Sequence, residues 1–370
     1  MRRLRLAVVG VGHLGRIHAR LMLGLENVEL AAVVDPVESN RFQVAVDCGA
    51  QALADHRELF GRVDAAVIAT PTRFHHRVGM ELLSQGIHLL IEKPLAGSLA
   101  EAEELAAAAE RLGLVLQVGH VERFNPAWTA ILPHLREPKY IEATRCGPFS
   151  FRSTDIGAVL DIMIHDLDLV LSLVHSRLVH VEALGLAVLG RHEDVANARL
   201  TFENGCVAAL SASRVSSIPR RSMQVWTPRR FARIDFAERT ADVVSPSEAV
   251  LGRQIDVERM SATERDQLKA DLFEKHLSRE TLSVDRRDAL TAELEDFVTS
   301  IREGHSPRVD GRQGQAVLAA AEQILSKIGA HRWEGSVEGP TGPQAIPAPR
   351  IVPAPHWDVA ARQRSRKQAG

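Results

Sequence analysis

The sequence is short of the features that mark several protein classes. Only three cysteines occur in 370 residues, Cys48, Cys146 and Cys206, and no two form a CxxC pair. That leaves no disulfide framework and no familiar zinc spacing, and it fits a reducing compartment, so a cytoplasmic location is expected. No run of 18 or more apolar residues is present, which excludes a membrane-spanning helix of ordinary length. The basic start Met1-Arg2-Arg3 leads into an apolar run that breaks at Gly10, so it reads as a first strand and not as a signal peptide. Neither sign of charge dominates: 45 basic and 47 acidic residues give a net charge of −2, which argues against a nucleic-acid partner. Lysine is also scarce. There are six, so 39 of the 45 basic side chains are arginine, and Lys93 is one of two lysines before residue 269. Genome base bias explains the ratio. In a chain that uses arginine for almost every cation, a lysine at the end of an apolar strand is better explained by chemistry than by solubility.

What is present suffices for two domains. At about 150 residues per domain, 370 residues with 45% hydrophobic content bury a sizeable core without metal or disulfides. Five apolar runs, Leu4–Val9, Val28–Val34, Asp64–Ala69, Ile87–Ile91 and Leu114–Val118, alternate with the helical patterns Gly15–Leu25, Asn40–Ala45, His75–Gln85 and Ser98–Leu112. Ser98 with Glu101 has the spacing of a capping box. Buried runs alternating with helices predict a Rossmann-type doubly wound parallel sheet. After residue 122 the rhythm changes. Helices are expected over Asn125–Leu135 and Ile156–Leu173. Successive strands follow at Val179–Leu189, Ala196–Phe202, Cys206–Ser213, Ser222–Trp226 and Phe231–Phe236, with Asn204-Gly205 supplying a hairpin turn with positive φ angles. Strands without intervening helices predict an antiparallel sheet in a second, α+β domain. Residues 245–286 read as a polar excursion, and helices close the domain at Arg287–Glu303 and Gly314–Ile328. The domains are therefore expected at 1–122, 123–333 and a Pro/Arg-rich tail, 334–370, extended or disordered.

Five constellations carry chemistry. Gly10-Val11-Gly12-His13-Leu14-Gly15 follows a strand and opens a helix, and Asp35 lies 20 residues further on at the end of the second strand. The glycines permit a tight turn and close approach of a pyrophosphate, while Asp35 would accept from ribose hydroxyls and repel a 2′-phosphate, favouring NAD over NADP. Thr70-Pro71 ends the third strand and would border the dinucleotide, with His75 beginning the next helix; a capping turn with a surface histidine is the alternative. Glu92-Lys93-Pro94 ends the fourth strand, where Lys93 could orient a substrate hydroxyl and Pro94 could be cis. Asp161 and His165 stand four residues apart on one helix face, with Asp168 near the same stripe, as a carboxylate-oriented general base would require. A divalent ion is the rival there, but no HxxxH or second cluster supports one, and no metal is expected. Asp166 would cap, or pair with a neighbouring arginine. Last, His120, Glu122, Arg123, Asn125 and Pro126 sit where the two domains meet. There Asn125-Pro126 reads as a helix N-cap and first turn, and Glu122 with Arg123 as an interface ion pair.

Together these segments resemble the glucose–fructose oxidoreductase / inositol dehydrogenase / MocA (Gfo/Idh/MocA) family. The motifs are GVGHLGRIH at 10–18, ATPTRFH at 69–75, EKPL at 92–95, DxxxH at 161–165 and Pro-Arg-Val-Asp-Gly at 307–311. The resemblance implies an NAD-dependent oxidoreductase whose second domain carries a large open sheet used for homo-oligomer formation, as a dimer or tetramer. It also implies that Lys93, Asp161 and His165 act at the substrate carbinol. A narrower resemblance, in 118–126, 145–149 and 155–159, is to the UDP-N-acetylglucosamine 3-dehydrogenase branch, and implies oxidation of a sugar-nucleotide 3-hydroxyl. On this reading NAD rests on Gly10, Gly12, His13, Leu14, Gly15, Asp35, Thr70, Pro71, His75, Glu92, Lys93 and His120. Arg123 and Asn125 hold the sugar, Arg145 or Arg152 meets the diphosphate, Asp161 orients His165, and His165 takes the proton. The alternatives are an NAD-dependent dehydrogenase of a free sugar, an inositol or a sugar acid; a glycoside hydrolase that oxidises transiently; and a noncatalytic NAD(H) or sugar-nucleotide sensor.

Overall fold

The computed structural model describes residues 2–151, 155–333 and 339–345. Six strands build the first sheet: β1 (Leu4–Val9), β2 (Val28–Val34), β3 (Gln51–Leu53), β4 (Ala65–Ile68), β5 (His88–Glu92) and β6 (Leu116–Gly119). All pairs are parallel, in the order β3-β2-β1-β4-β5-β6. Helices α1 (His13–Met22), α2 (Glu38–Cys48), α3 (His75–Ser84) and α4 (Leu99–Leu112) cross over between them. The sheet has one strand more than the five expected. The three residues of β3 are too few for a period to register.

Alternation along β1 explains the two faces. Leu6 and Val8 pack with α1 and α2 residues such as Ala19, Met22 and Val44, whereas Ala7 and Val9 join Val78, Leu82, Ala102 and Leu105 of α3 and α4. Ser98 caps α4 by accepting from the Glu101 amide, but the Glu101 carboxylate accepts from Gly97 N–H at 3.0 Å and so does not close a capping box.

The second sheet holds eight strands. They are β7 (Tyr140–Cys146), β8 (Leu178–Leu186), β9 (Val195–Phe202), β10 (Val207–Ser213), β11 (Arg220–Trp226), β12 (Phe231–Asp235), β13 (Thr240–Pro246) and β14 (Leu277–Thr281), in the order β14-β13-β12-β11-β7-β10-β9-β8. Every pair is antiparallel except β7 with β10. Of these, β7, β13 and β14 were not expected. The inner positions of β7 are Ile141, Ala143 and Arg145, too weakly apolar to announce a strand. In the β9–β10 hairpin Gly205 alone has positive φ, +81°, so Asn204 does not share that role. The polar stretch 245–286 folds as α7 (Glu248–Leu251), α8 (Ala262–Asp271) and the edge strand β14, with no buried residue in either helix. The Pro/Arg-rich tail lies largely outside the described residues.

On the inner face, α5 (Pro126–Ile131) and α6 (Ile164–Val174) cover the second sheet with Trp128, Leu167 and Val170. Two late helices tie the sheets together. In α9 (Ala289–Glu303), Leu294, Phe297 and Val298 pack against the first sheet. In α10 (Gly311–Ala330), Leu318 faces the first core, and Val317, Ala321 and Ile324 face the second. The Pro-Arg-Val-Asp-Gly segment explains itself here. The Val118 amide donates to the Val309 carbonyl, Asp310 caps α10, and Gly311 lies so close to β6 that a Cβ would stand 2.7 Å from the Leu116 side chain. No helix among the described residues is long and apolar enough to cross a membrane.

Candidate active site

The carboxyl ends of β1, β2, β4, β5 and β6 converge on one crevice, as a doubly wound sheet requires. Gly10 turns with φ +88°, and a side chain there would meet the Ala69 carbonyl oxygen at 2.8 Å. A Cβ on Gly15 would fall 1.9 Å from the Gly10 carbonyl oxygen, so α1 can approach the turn only because both positions lack one. Gly12, the N-cap of α1, faces open space with nothing within 4 Å. Donor amides pointing into a free volume suit a bound diphosphate. His13 and Leu14 open α1 and are exposed. Asp35 fixes this cradle: one carboxylate oxygen accepts from Val11 N–H at 3.0 Å and the other from Val37 N–H at 2.9 Å.

Across the crevice, His75 is buried and not on the surface. Its ring nitrogens contact the carbonyls of Thr70 at 2.8 Å and Pro94 at 2.9 Å, bracing two loops, and burial pushes its pKa down. Pro71 is exposed beside it, and the hydroxyl oxygen of Thr70 is buried with no partner. The Lys93–Pro94 bond is cis. Glu92 turns away from the crevice. It is buried against His18, with Oε1 2.7 Å from Nε2, and Glu293 of α9 lies in the same cluster with both carboxylate oxygens unpartnered. Burial and the neighbouring carboxylate Glu92 hold the Glu293 pKa well above the ordinary carboxylate value.

Lys93 reaches across to the second sheet's helix layer. Its Nζ donates to the Asp161 backbone carbonyl at 2.5 Å and to Oδ1 at 3.3 Å. The turn that carries Asp161, Val159–Met163, is π-helical and leads directly into α6, so the single regular helix expected over 156–173 is interrupted. Such wide turns gather at functional sites. The Glu193 carboxylate holds its start by accepting from Val159 N–H at 3.0 Å. His165 lies one residue into α6. Among the described residues no hydrogen bond joins it to Asp161, whose carboxylate turns to Lys93; Nδ1 of His165 is buried without a partner. The expectation that Asp161 orients His165 is therefore corrected: Asp161 positions Lys93. Burial, then the charges of Lys93 and Arg145, push His165 well below the ordinary histidine value, and burial takes His120 down to about 3. Both rings are neutral at pH 7, and a neutral imidazole can accept a proton.

The arginines expected at the substrate divide differently. Arg145 is buried and committed: Nη1 donates to Glu122 at 2.6 Å, while Nε and Nη2 donate to Asp166 at 3.1 and 2.7 Å. Glu122 thus pairs with Arg145 and not with Arg123. Arg123 turns to Asp168 and the Arg308 carbonyl. Burial raises the Asp168 carboxyl to about 7, so it is only partly ionised. Asn125 caps α5 through Ala127 N–H and donates to Glu122, which is a structural task. Arg145 and Asn125 are therefore not free to meet substrate, because the second core has already taken their polar atoms. Arg152 lies outside the described residues. His18, Glu193 and Glu293 are not among the candidates the sequence offers. A histidine on the buried face of α1, beside Gly15, Ala19 and Met22, was the available sign for His18.

Comparison with known proteins agrees with this geometry. Residues 4–120 match the model of an oxidoreductase family with an NAD-binding Rossmann fold, and residues 137–229 match a GFO/IDH/MocA C-terminal domain. The UDP-N-acetylglucosamine 3-dehydrogenase of Acidithiobacillus ferrooxidans is 36% identical over 332 residues, covering 88% of this chain and 98% of that protein. The chain belongs to the Gfo/Idh/MocA family. A solved structure of that Acidithiobacillus enzyme superposes with a TM-score of 0.77 at 35% identity, covering 89% of this chain and 98% of the other. The scyllo-inositol 2-dehydrogenase (NAD(+)) of Bacillus subtilis is 29% identical, covering 57% of this chain and 68% of that protein. This Gfo/Idh/MocA protein is an oxidoreductase with NAD as its cofactor. The open space over Gly12, the Asp35-braced turn and the unpartnered Thr70 hydroxyl fit that cofactor.

Proposed function

We propose that this oxidoreductase oxidises the 3-hydroxyl of a UDP-N-acetylhexosamine, UDP-N-acetylglucosamine foremost. The observation that carries the reading is the 36% identity to an enzyme of that activity over 98% of its length, which spans both sheets and the crevice between them. NAD⁺, when bound, supplies the acceptor for the hydride leaving the sugar carbon. The cradle of Gly10, Gly12 and Gly15, with Asp35, would hold it. The neutral His165 takes the hydroxyl proton, and the Lys93 ammonium, held at Asp161, stabilises the alkoxide that develops. Incubation with NAD⁺ and UDP-N-acetylglucosamine should give NADH and a sugar nucleotide two hydrogens lighter by mass spectrometry. Oxidation of inositols or free sugars in its place would reject the sugar-nucleotide reading.

The same reading extends to assembly. Helices cover one face of the second sheet. The other face carries Tyr140, Trp226 and Phe231 in ring contact, with Trp226 centroids 5.1 and 4.9 Å from its two neighbours. A second copy of the chain covers that face. Sedimentation should therefore find an oligomer, and a monomer at micromolar concentration would reject it.

A further inference from the structure

Lys93, Arg145, His120 and Arg221 are the groups that act most strongly on His165, and the first three are already spoken for or neutral. Lys93 is held at Asp161, Arg145 is shared by Glu122 and Asp166, and His120 is uncharged at pH 7. The fourth is Arg221. It sits on β11 directly opposite Arg145 on β7, and opposite residues of an antiparallel pair share a face. That is the inner face, continued on β11 by the buried Met223 and Val225. Arg221 is the second residue of β11, so it stands where that inner face runs out of the core. It is exposed there, while Arg145 beside it is sealed in. Among the described residues its guanidinium makes no hydrogen bond or salt bridge, and only its longer-range charge reaches Asp166.

We propose that Arg221 is the cation that meets the diphosphate of the sugar-nucleotide substrate, in the place that Arg145 cannot fill. This rests on the reading of the substrate as a UDP-sugar. An unpaired guanidinium at the mouth of the crevice offers the planar fork that binds phosphate oxygens bidentately. The carboxylate that feels its charge is Asp166, whose hydrogen bonds are already taken by Arg145; Glu122 likewise turns to Arg145, Asp168 to Arg123, and Asp161 to Lys93. Its charge is felt at His165, which leaves the reacting sugar between the diphosphate and the base.

The test measures UDP and uridine binding to the NADH-loaded protein by calorimetry, so that the cofactor's own diphosphate site is filled. The wild-type protein should bind UDP about 10- to 100-fold more tightly than uridine, as a charge-assisted contact predicts. Arg221→Gln should collapse that preference to within about threefold and Arg221→Lys should restore part of it, since lysine keeps the charge but not the fork. With UDP-N-acetylglucosamine as substrate, the loss in Arg221→Gln should be carried mainly by KM and should shrink at high salt. An unchanged UDP preference in Arg221→Gln overturns the proposal, as does a wild-type protein with no preference. Failure of the substrate reading looks different: UDP preference persists and depends on Arg221, yet UDP-N-acetylglucosamine is not oxidised.

Discussion

Replacing His165 with alanine is expected to lower turnover by about 10²- to 10⁴-fold, the usual worth of a positioned base, while NADH binding stays nearly intact. The second half follows from position. His165 lies on α6, in the layer over the second sheet, whereas the turn from Gly10 to Gly15 and its Asp35 brace belong to the first. The pH profile gives an independent reading. The active form is the neutral imidazole, and burial lowers its pKa. In the wild-type protein kcat/KM should therefore stay level as the pH falls through 6.5, the ordinary histidine value, and drop only below it. Lys93→Met should cost about 10²- to 10³-fold in kcat, as removal of a donor to a developing oxyanion does. Asp161→Asn should cost less, because the backbone carbonyl at 2.5 Å still holds Lys93. An alanine variant retaining more than about a tenth of wild-type turnover would remove His165 from the role of base.

The residues differ in how openly the sequence displays such roles. β1 and β2 were legible to the residue, because their inner stretches Leu6–Val9 and Leu30–Val34 are apolar throughout and end at Gly10 and Asp35. Lys93 was legible because a cation ending such a strand needs a reason. β7 was not: its inner positions hold one large apolar side chain, and its stability comes from β10 and β11 on either side. Arg145 was misjudged for the same cause. From sequence it is an arginine in a polar stretch. Only the sheet register and α6 bring Glu122, 23 residues earlier, and Asp166, 21 residues later, to one guanidinium. Asp161 shows a subtler limit. The four-residue spacing to His165 does put both near one side of the chain, but the π-turn widens the helix and an ammonium from the other domain claims the carboxylate. Long-range pairing decides which polar neighbours meet, and spacing cannot report it.

The Arg145 cluster is where that pairing should matter most for stability. Arg145→Met removes the cation and leaves Glu122 and Asp166 buried. Taking one partner from a buried ionic cluster typically costs about 3–5 kcal/mol, which for a domain of this size lowers Tm by roughly 10 °C. Burial already pushes the Asp166 carboxyl up even with Arg145 beside it, though three contacts of 3.2 Å or less mark an ionised pair. Without the arginine, the carboxyl rises further. A folded-state pKa above the unfolded one means stability that is present at low pH and lost as pH rises. The variant should accordingly lie closest to wild type near pH 5 and fall furthest behind near pH 8, and calorimetric melts across that range read it directly. Adding Glu122→Gln and Asp166→Asn should recover part of the loss and flatten the pH dependence, since neutral amides carry no unpaired charge. A single variant within about 1 kcal/mol of wild type at pH 8 would mean that water reaches the two carboxylates, and that Arg145 is held there for the crevice and not for the core.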